Sequence, residues 1–414
     1  MKSCIQGVKN RGLLRRAIWP SPSIGAMPRP PRLSTTIAVA LLGVAILALS
    51  PAALARTHAR PSQRRGHTHS QRHSSPHRGG GHILKNPPLK MIWGPLTMPN
   101  GASAFPTYRR LGVQVLQLQL SWTATAPVRP QDASNPADPA YHWPAAMDQA
   151  VSEAARYGIS LALMVKETPG WANGGLDPSW APDEAADYAA FLQAVSRRYP
   201  TIHYWMIWGE VTRPGNFNPM PTNSPVGPQR YAALLDAAYG ALKAIDPANL
   251  VIGGMTYTLG AVTMGDYLRW LRLPNGSPPR MDFFGDNPYS TRYPKLSTPP
   301  YSPVVRDIND IDTIEQELTR NYAGHGAAPK LWLSEFSISS DAPSRAFDFY
   351  VSRAIQAKWV TAAYNLVDSL PYVAGLGWYE LLDESSSVRE HLTEGLMSAD
   401  GQPKPAFYAY AKAP

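Results

Sequence analysis

Two glutamates stand where short, tryptophan-rich apolar segments end. Glu210 follows the segment 204–209, and Glu335 follows the segment 330–334. Hydrolysis of a glycosidic bond needs two such groups, because one carboxylic acid protonates the leaving oxygen while an ionised carboxylate attacks the anomeric carbon. A single glutamate at the end of a strand is more typical of a surface ion pair. Two glutamates in equivalent positions favour the catalytic interpretation.

The elements that must position these glutamates alternate between strands and helices. Eight short apolar segments are predicted as strands: Met91–Gly94, Val113–Leu120, Ile159–Val165, Tyr204–Trp208, Val251–Met255, Met281–Gly285, Leu331–Ser334 and Gly375–Tyr379. Seven longer amphipathic segments are predicted as helices: Ala104–Leu111, Trp143–Tyr157, Asp183–Tyr199, Gln229–Ile245, Met264–Leu271, Ile308–Tyr322 and Ser344–Leu366. Continuous apolar strands between helices indicate a parallel sheet that is buried on both faces.

Eight such units match the size of a (β/α)8 TIM barrel, an α/β fold. A doubly wound sheet is the alternative, but it usually has a glycine-rich turn after the first strand, and Trp93-Gly94-Pro95 offers none. Catalytic residues of a barrel lie at the carboxyl ends of its strands. Because strands four and seven lie on opposite sides of the barrel mouth, Glu210 and Glu335 are expected to face one cleft.

Several motifs resemble those of clan A glycoside hydrolases, and the resemblance covers most of residues 90–410. Ile207-Trp208-Gly209-Glu210 resembles the acid/base signature, and Trp332-Leu333-Ser334-Glu335-Phe336 resembles the nucleophile signature. The remaining motifs follow in order: Glu167-Thr168-Pro169-Gly170-Trp171-Ala172, Asp286-Asn287-Pro288-Tyr289, Gly377-Trp378-Tyr379-Glu380 and Gly395-Leu396-Met397 with Gly401-Gln402-Pro403-Lys404-Pro405-Ala406. The set resembles families 39 and 5, and most of all the xylosidase-like and exopolysaccharide-hydrolase members of family 39.

This resemblance implies a retaining glycosidase in which Glu210 is the acid/base and Glu335 is the nucleophile. It also implies that Tyr289 hydrogen-bonds the nucleophile and that Trp378 forms the floor of the reacting-sugar subsite. Further candidates for contact with the sugar, each of which could instead be a core or turn residue, are Asn287, Trp171, Trp208 and Trp93. Glu167 and Glu380 are the reserve catalytic candidates. No His/Asp cluster has metal-ligand spacing, so neither a metal nor a cofactor is expected.

Gly209 departs from the pattern of the clan, whose members usually carry Asn at this position to hold the sugar 2-hydroxyl. Three interpretations are open. Asn287 or Gln119 could take the role, the substrate could lack or modify that hydroxyl, or the protein could be a weakened enzyme that mainly binds glycans. For catalysis, donors such as Tyr289 should keep Glu335 ionised, while desolvation by neighbouring tryptophans should keep Glu210 protonated.

The basic character of the chain is confined to its N-terminal part. The net charge is +9, but residues 1–90 hold fifteen Lys and Arg and no acidic residue, which leaves 24 basic and 30 acidic residues for the rest. A nucleic-acid partner is therefore not expected. The only cysteine is Cys4, so no disulfide framework is possible.

Three segments are predicted along the chain. Residues 1–55 form a secretory signal peptide, because an apolar run of thirteen precedes Ala53-Leu54-Ala55. A translation start at Met27 is an alternative that would give the signal an ordinary length. Residues 56–85 form a disordered Arg/His/Ser/Gly-rich linker suited to anionic cell-envelope polymers, and residues 86–414 form the catalytic barrel. The protein is expected to be secreted or held at the cell surface and to act on a poly- or oligosaccharide. An uncleaved membrane anchor is the alternative to cleavage.

Overall fold

Eight parallel strands form a closed barrel in this computed structural model. The structure describes residues 87–343, 349–388 and 391–414. The strands pair in chain order, and the first pairs with the eighth. They are β1 (Leu89–Trp93), β2 (Val115–Ser121), β3 (Ser160–Lys166), β4 (Tyr204–Ile207), β5 (Leu250–Tyr257), β6 (Phe283–Asn287), β7 (Lys330–Phe336) and β8 (Val373–Trp378). Each predicted strand overlaps an observed one, so the predicted (β/α)8 barrel is confirmed.

The helices of the described residues surround the barrel. They are α1 (Phe105–Leu111), α2 (Trp122–Thr125), α3 (Ala145–Tyr157), α4 (Ala185–Arg198), α5 (Val226–Ile245), α6 (Met264–Trp270), α7 (Ile311–Tyr322), α8 (Arg353–Asp368) and α9 (Pro405–Lys412). Helix α9 was not among the predicted elements. It packs against α8 and α1, and the Tyr410 hydroxyl donates a 2.9 Å hydrogen bond to the Met91 carbonyl. The end of the chain thereby holds β1 in place.

The predicted seventh helix, Ser344–Leu366, begins too early. Helix α8 starts only at Arg353, because Ser352 is extended and its hydroxyl accepts a hydrogen bond from the Ile355 amide, as an N-cap does. Just before it, Val351 forms a β-bridge with Ser340. Residues 344–348 lie outside the described part of the chain.

Two apolar layers flank the strands, and successive residues alternate between them. The barrel interior is filled by Met91, Trp93, Val115, Ala162, Met164, Met206, Ile252, Met255 and Trp332. A larger layer, which includes Ile92, Leu163 and Ile207, packs between the barrel and its helices. The interior is thus a packed core, and the carboxyl ends of the strands are left to form a mouth.

No helix within the described ranges combines the length and the apolar character needed to cross a membrane. The predicted signal peptide (1–55) and linker (56–85) lie outside the described residues.

Candidate active site

Glu210 reaches the barrel mouth through a left-handed turn. Strand β4 ends at Ile207, and the next residues include Trp208 with φ of 66° and Glu210 with φ of 44°. Such angles are sparsely populated by residues other than glycine, and they persist only where the surroundings enforce them. The glutamate that the sequence singles out therefore lies in a strained backbone, and it is 8% exposed.

Three donors surround the Glu210 carboxylate. The Arg213 guanidinium donates to Oε2 at 2.8 Å, and Asn216 Nδ2 donates to the same oxygen at 3.2 Å. Asn287 Nδ2 donates to Oε1 at 3.2 Å. Arg213 and Glu210 are both buried, so their ion pair is little screened by water.

Glu335 lies near the end of β7 and accepts a 3.0 Å hydrogen bond from the Tyr289 hydroxyl. Burial, followed by the negative charge of Glu210, raises the pKa of Glu335, while Tyr289, Arg213 and Lys166 act in the opposite direction. Because the charge of Glu210 acts on the pKa of Glu335, the two carboxylates lie close enough to belong to one site. The structure therefore brings together Glu210, Glu335, Tyr289 and Asn287, all four of which the sequence analysis proposed.

The donors that contact the two carboxylates differ. A guanidinium and two amides contact Glu210, whereas the Tyr289 hydroxyl contacts Glu335, whose pKa is raised by burial and by the charge of Glu210. Like charges at one site disfavour double ionisation of the pair.

Met164 fills the space beside Gly209. A Cβ atom at position 209 would lie 2.4 Å from the Met164 sulfur, so an asparagine cannot be placed there without moving Met164. Of the two amides proposed to replace it, Asn287 contacts Glu210, whereas Gln119 Nε2 lies 3.5 Å from Glu167 Oε1. Asn287 is 1% exposed, and its Oδ1 has no hydrogen-bond partner among the described residues. Asn287 is thus the better placed of the two.

Trp378 and Trp208 do not form sugar platforms in this structure. Trp378 is 0% exposed and packs edge-on against Phe336, with ring centroids 6.1 Å apart. Trp208 is 1% exposed and packs edge-on against Phe217 at 5.3 Å. Both rings lie in the layer between barrel and helices, so the expectation that they contact substrate is corrected to a core role.

Trp93 and Trp171 are also largely occupied by protein contacts. Trp93 belongs to the barrel interior, and its Nε1 donates to the Ser334 carbonyl at 3.1 Å. Trp171 is half-buried, and the Arg129 guanidinium lies 4.4 Å from its ring centroid. Of the four predicted tryptophans, Trp171 is the most exposed.

Tyrosines take the place of these tryptophans at the mouth. Tyr257, Tyr289 and Tyr379 pack together with Leu392, and we call the three tyrosines the tyrosine cluster. After β8 the residue that reaches the mouth is thus Tyr379, one position after Trp378. The tyrosine rings offer faces that could stack on a sugar.

The reserve candidates occupy different surroundings. Glu167 follows β3 with φ of 73°, and its Oε1 lies 3.8 Å from Lys166 Nζ. Glu380 follows β8, where burial raises its pKa to about 8. No group of three or more His, Cys, Asp or Glu in the described ranges is arranged to bind a metal ion.

Three polar residues of the mouth were missed by the sequence analysis. Arg213 and Asn216 stand three and six positions after Glu210, a spacing that could have signalled a turn folding back on the carboxylate. Glu394 comes from the loop after β8 and accepts hydrogen bonds from the hydroxyls of Ser337 at 2.5 Å and Ser339 at 3.3 Å. The one feature of the sequence that could have pointed to Glu394 is its position directly before the Gly395-Leu396-Met397 motif.

Solved structures share this barrel. A family 39 glycoside hydrolase from Bacteroides cellulosilyticus WH2 superposes with a TM-score of 0.57 at 18% identity, over 78% of this chain and 63% of that one. The barrel has the fold of family 39 glycoside hydrolases. A glucosidase from Croceicoccus marinus gives a TM-score of 0.57 at 18% identity, over 78% and 65% of the two chains. A monomeric β-xylosidase from Caulobacter crescentus CB15 gives 0.53 at 17%, over 78% and 68%.

At this level of identity the similarity to family 39 is one of fold. The chain spans less than two thirds of the length of the first two structures. No protein-family model matches the sequence, and the search of curated proteins found no match. The assignment of chemistry therefore rests on the carboxylate pair at the mouth.

Proposed function

We propose that the protein is a retaining glycoside hydrolase that cleaves β-linked O-glycosidic bonds in a poly- or oligosaccharide. The observation that carries the proposal is the pairing of Glu210, after β4, with Glu335, near the end of β7, at one barrel mouth. Two carboxylic acids at such a mouth are the minimum that double displacement requires. The shared fold with family 39 enzymes supports the same chemistry.

In the proposed reaction Glu335 attacks the anomeric carbon while Glu210 gives its proton to the leaving oxygen. Water then attacks the glycosyl-enzyme, Glu210 takes a proton from it, and the Glu335 carboxylate is released. Tyr289 holds the Glu335 oxygen that it hydrogen-bonds. This sequence needs the proton of the pair on Glu210 when the substrate is bound.

We further propose that the protein acts outside the cell. The support comes from the sequence of residues 1–85, which combines a signal-like segment with a basic, histidine-rich segment. Release into the medium or retention on anionic envelope polymers would both bring the barrel to extracellular polysaccharide. Fractionation of the producing cells, followed by N-terminal sequencing of the mature protein, tests this part.

Hydrolysis of a panel of aryl β-glycosides tests the activity. The wild type should turn over at least one member, and Glu210→Gln should lower the rate by roughly 10²–10⁴-fold, the usual contribution of a positioned acid. Glu184→Gln, an exposed change at the start of α4, is the control and should retain the rate. A 2-deoxy-2-fluoro-glycosyl fluoride should label the peptide that contains Glu335. A label on Glu210 would reverse the roles.

A second candidate function is a catalytically weakened, surface-tethered glycan-binding barrel. Gly209 favours it, because the clan A enzymes that the sequence resembles usually carry at this position an asparagine that holds the sugar 2-hydroxyl, and the glycine has no side chain to do so. Glycan affinity without turnover of any aryl glycoside would support this candidate and exclude the first.

A further inference from the structure

A cavity of about 350 Å³ opens beside the carboxylate pair. It lies between the loops that follow β5, β6 and β7, and its wall includes Tyr257, Tyr289, Tyr301, Ser337, Phe349 and Glu394. Ligand pockets begin at about 300 Å³, so the cavity is of a size to hold a sugar ring. Neither Glu210 nor Glu335 lines it. It therefore adjoins the reacting bond without containing it.

Tyr289 connects the cavity to the catalytic pair. Its ring is part of the cavity wall, and its hydroxyl donates to Glu335 at 3.0 Å. A ligand in the cavity thus lies one side chain away from Glu335. This is the separation expected for the sugar next to the one that reacts.

Glu394 is a buried carboxyl group in the wall of the cavity. It is 2% exposed, and the hydroxyls of Ser337 and Ser339 hold its two carboxyl oxygens. Its carbonyl accepts hydrogen bonds from Trp378 Nε1 at 3.0 Å and Gln356 Nε2 at 3.3 Å. Both the main chain and the side chain are thus fixed, which is what orientation of a ligand hydroxyl requires.

The charges around the cavity favour a neutral ligand. Arg292 lines the cavity, but Asp307 and Asp310 already bind its guanidinium at 2.6 and 2.9 Å, so a uronate carboxylate would have to compete with both. Burial raises the pKa of Glu394 to about 8, which disfavours the full negative charge that an amino sugar would seek. A protonated carboxyl can donate one hydrogen bond and accept others, as sugar hydroxyls require.

We propose that this cavity binds a neutral sugar residue next to the reacting one, and that Glu394 determines specificity by hydrogen-bonding its hydroxyls. The tyrosine and phenylalanine rings of the wall offer apolar faces for the C–H side of the sugar. This inference rests on the proposed glycosidase function, because it places the cavity within a longer substrate.

Binding is the first test, and it does not depend on turnover. Neutral, glucuronate-containing and glucosamine-containing disaccharides and trisaccharides are titrated calorimetrically into the full chain carrying Glu335→Gln. Neutral oligosaccharides should bind, and adding Glu394→Gln should weaken binding about tenfold, as the loss of a buried hydrogen bond does. Adding Glu184→Gln should leave the affinity unchanged. Tyr301→Ala should also weaken binding, and since Tyr301 is 74% exposed, it carries little risk to folding.

Hydrolysis is the second test and separates the cavity from the reacting-sugar subsite. With aryl β-glycosides of one and two neutral sugars, the wild type should prefer the disaccharide in kcat/KM. Glu394→Gln should raise KM for the disaccharide by more than KM for the monosaccharide, and so remove this preference. Equal losses on both substrates, a preference for the charged sugars, or no effect of either cavity variant would overturn the proposal.

The two proposals fail in different ways. Binding of neutral oligosaccharides that depends on Glu394, without hydrolysis of any glycoside, would remove the proposed activity and keep the cavity assignment. Hydrolysis without dependence on Glu394 or Tyr301 would keep the activity and remove the cavity assignment.

Discussion

The Met164 sulfur occupies the place that a side chain at position 209 would need, 2.4 Å from the ideal Cβ position of Gly209. Met164 itself is part of the barrel interior and is 7% exposed. The Met164 side chain on β3 therefore fits only because position 209 is a glycine. With glycine instead of asparagine at this position, the mouth is packed in a different way, with the Met164 side chain in the space beside the glycine.

Gly209→Asn should destabilise the fold by about 1–3 kcal/mol, because extra atoms in a packed core force side chains and backbone to move. Combining it with Met164→Ala should cost less than the sum of the two single changes, since the shorter side chain removes the clash and the asparagine fills the space that it leaves. Chemical denaturation of the four proteins measures this coupling. Strict additivity would show that the two side chains do not compete for one space.

Tyr289→Phe should move the acidic limb of the kcat/KM profile to higher pH. The tyrosine hydrogen bond lowers the pKa of Glu335, so its removal makes the nucleophile harder to ionise. A shift of roughly one unit corresponds to about a tenfold loss of activity below the limb. The pH profile of aryl glycoside hydrolysis measures it, with Tyr408→Phe on the exposed face of α9 as control. A uniform loss at every pH would contradict this role.

Asn287→Ala should lower kcat/KM by about a hundredfold, the scale found when a donor aimed at the transition state is removed. Asn216→Ala should cost less than tenfold, although its amide also contacts Glu210. A 2-deoxyglycoside sharpens the comparison: the loss caused by Asn287→Ala should shrink on it if Asn287 holds the 2-hydroxyl. An equal loss on both substrates would limit Asn287 to positioning Glu210.

The fold should lose stability as the pH rises from about 5 to 8. Burial raises the pKa of Asp286 to about 7 and that of Glu394 to about 8, so the folded state binds protons that the unfolded state has already released. Their stabilising contribution is complete below the ordinary carboxyl pKa and is lost as the pH passes the raised values. Each fully linked carboxyl gives a slope of about 1.4 kcal/mol per pH unit.

Asp286→Asn tests this dependence, because it keeps the oxygen that accepts the Thr256 hydrogen bond and removes the titration. Urea denaturation at several pH values should show a shallower decline than in wild type, and Glu184→Gln should follow the wild-type curve. A slope that Asp286→Asn leaves unchanged would rule out this source of the pH dependence.

The sequence predicted the barrel well because its strands are continuous apolar runs, whose burial on both faces is visible in composition alone. Because these runs are apolar throughout, the sequence does not indicate which residues face the barrel interior and which face the helices. Trp378 and Tyr379 are both apolar enough for either layer, and pairing between β7 and β8 shifts register twice before Trp378 meets Phe336. A one-residue change in register exchanges the two faces, so the sequence placed the tryptophan at the mouth where the tyrosine lies.

The two carboxylates proposed as catalytic could be anticipated because strand ends locate them, whereas their partners Arg213 and Asn216, and the buried Glu394, could not. Arg213 reaches Glu210 only through the turn after β4, and Glu394 reaches Ser337 and Ser339 across a span of 55 to 57 residues. Such contacts depend on loop conformation, for which no periodic pattern exists.

The burial of the tryptophans has a practical consequence for detecting a ligand. Trp208 and Trp378 are sealed within the helix–barrel layer, while the tyrosine cluster lies at the mouth. Sugar binding should therefore leave the surroundings of these two tryptophans nearly unchanged and alter the tyrosine bands of the near-ultraviolet difference spectrum. A quenching assay that relies on the emission of these two tryptophans would miss even a fully occupied site.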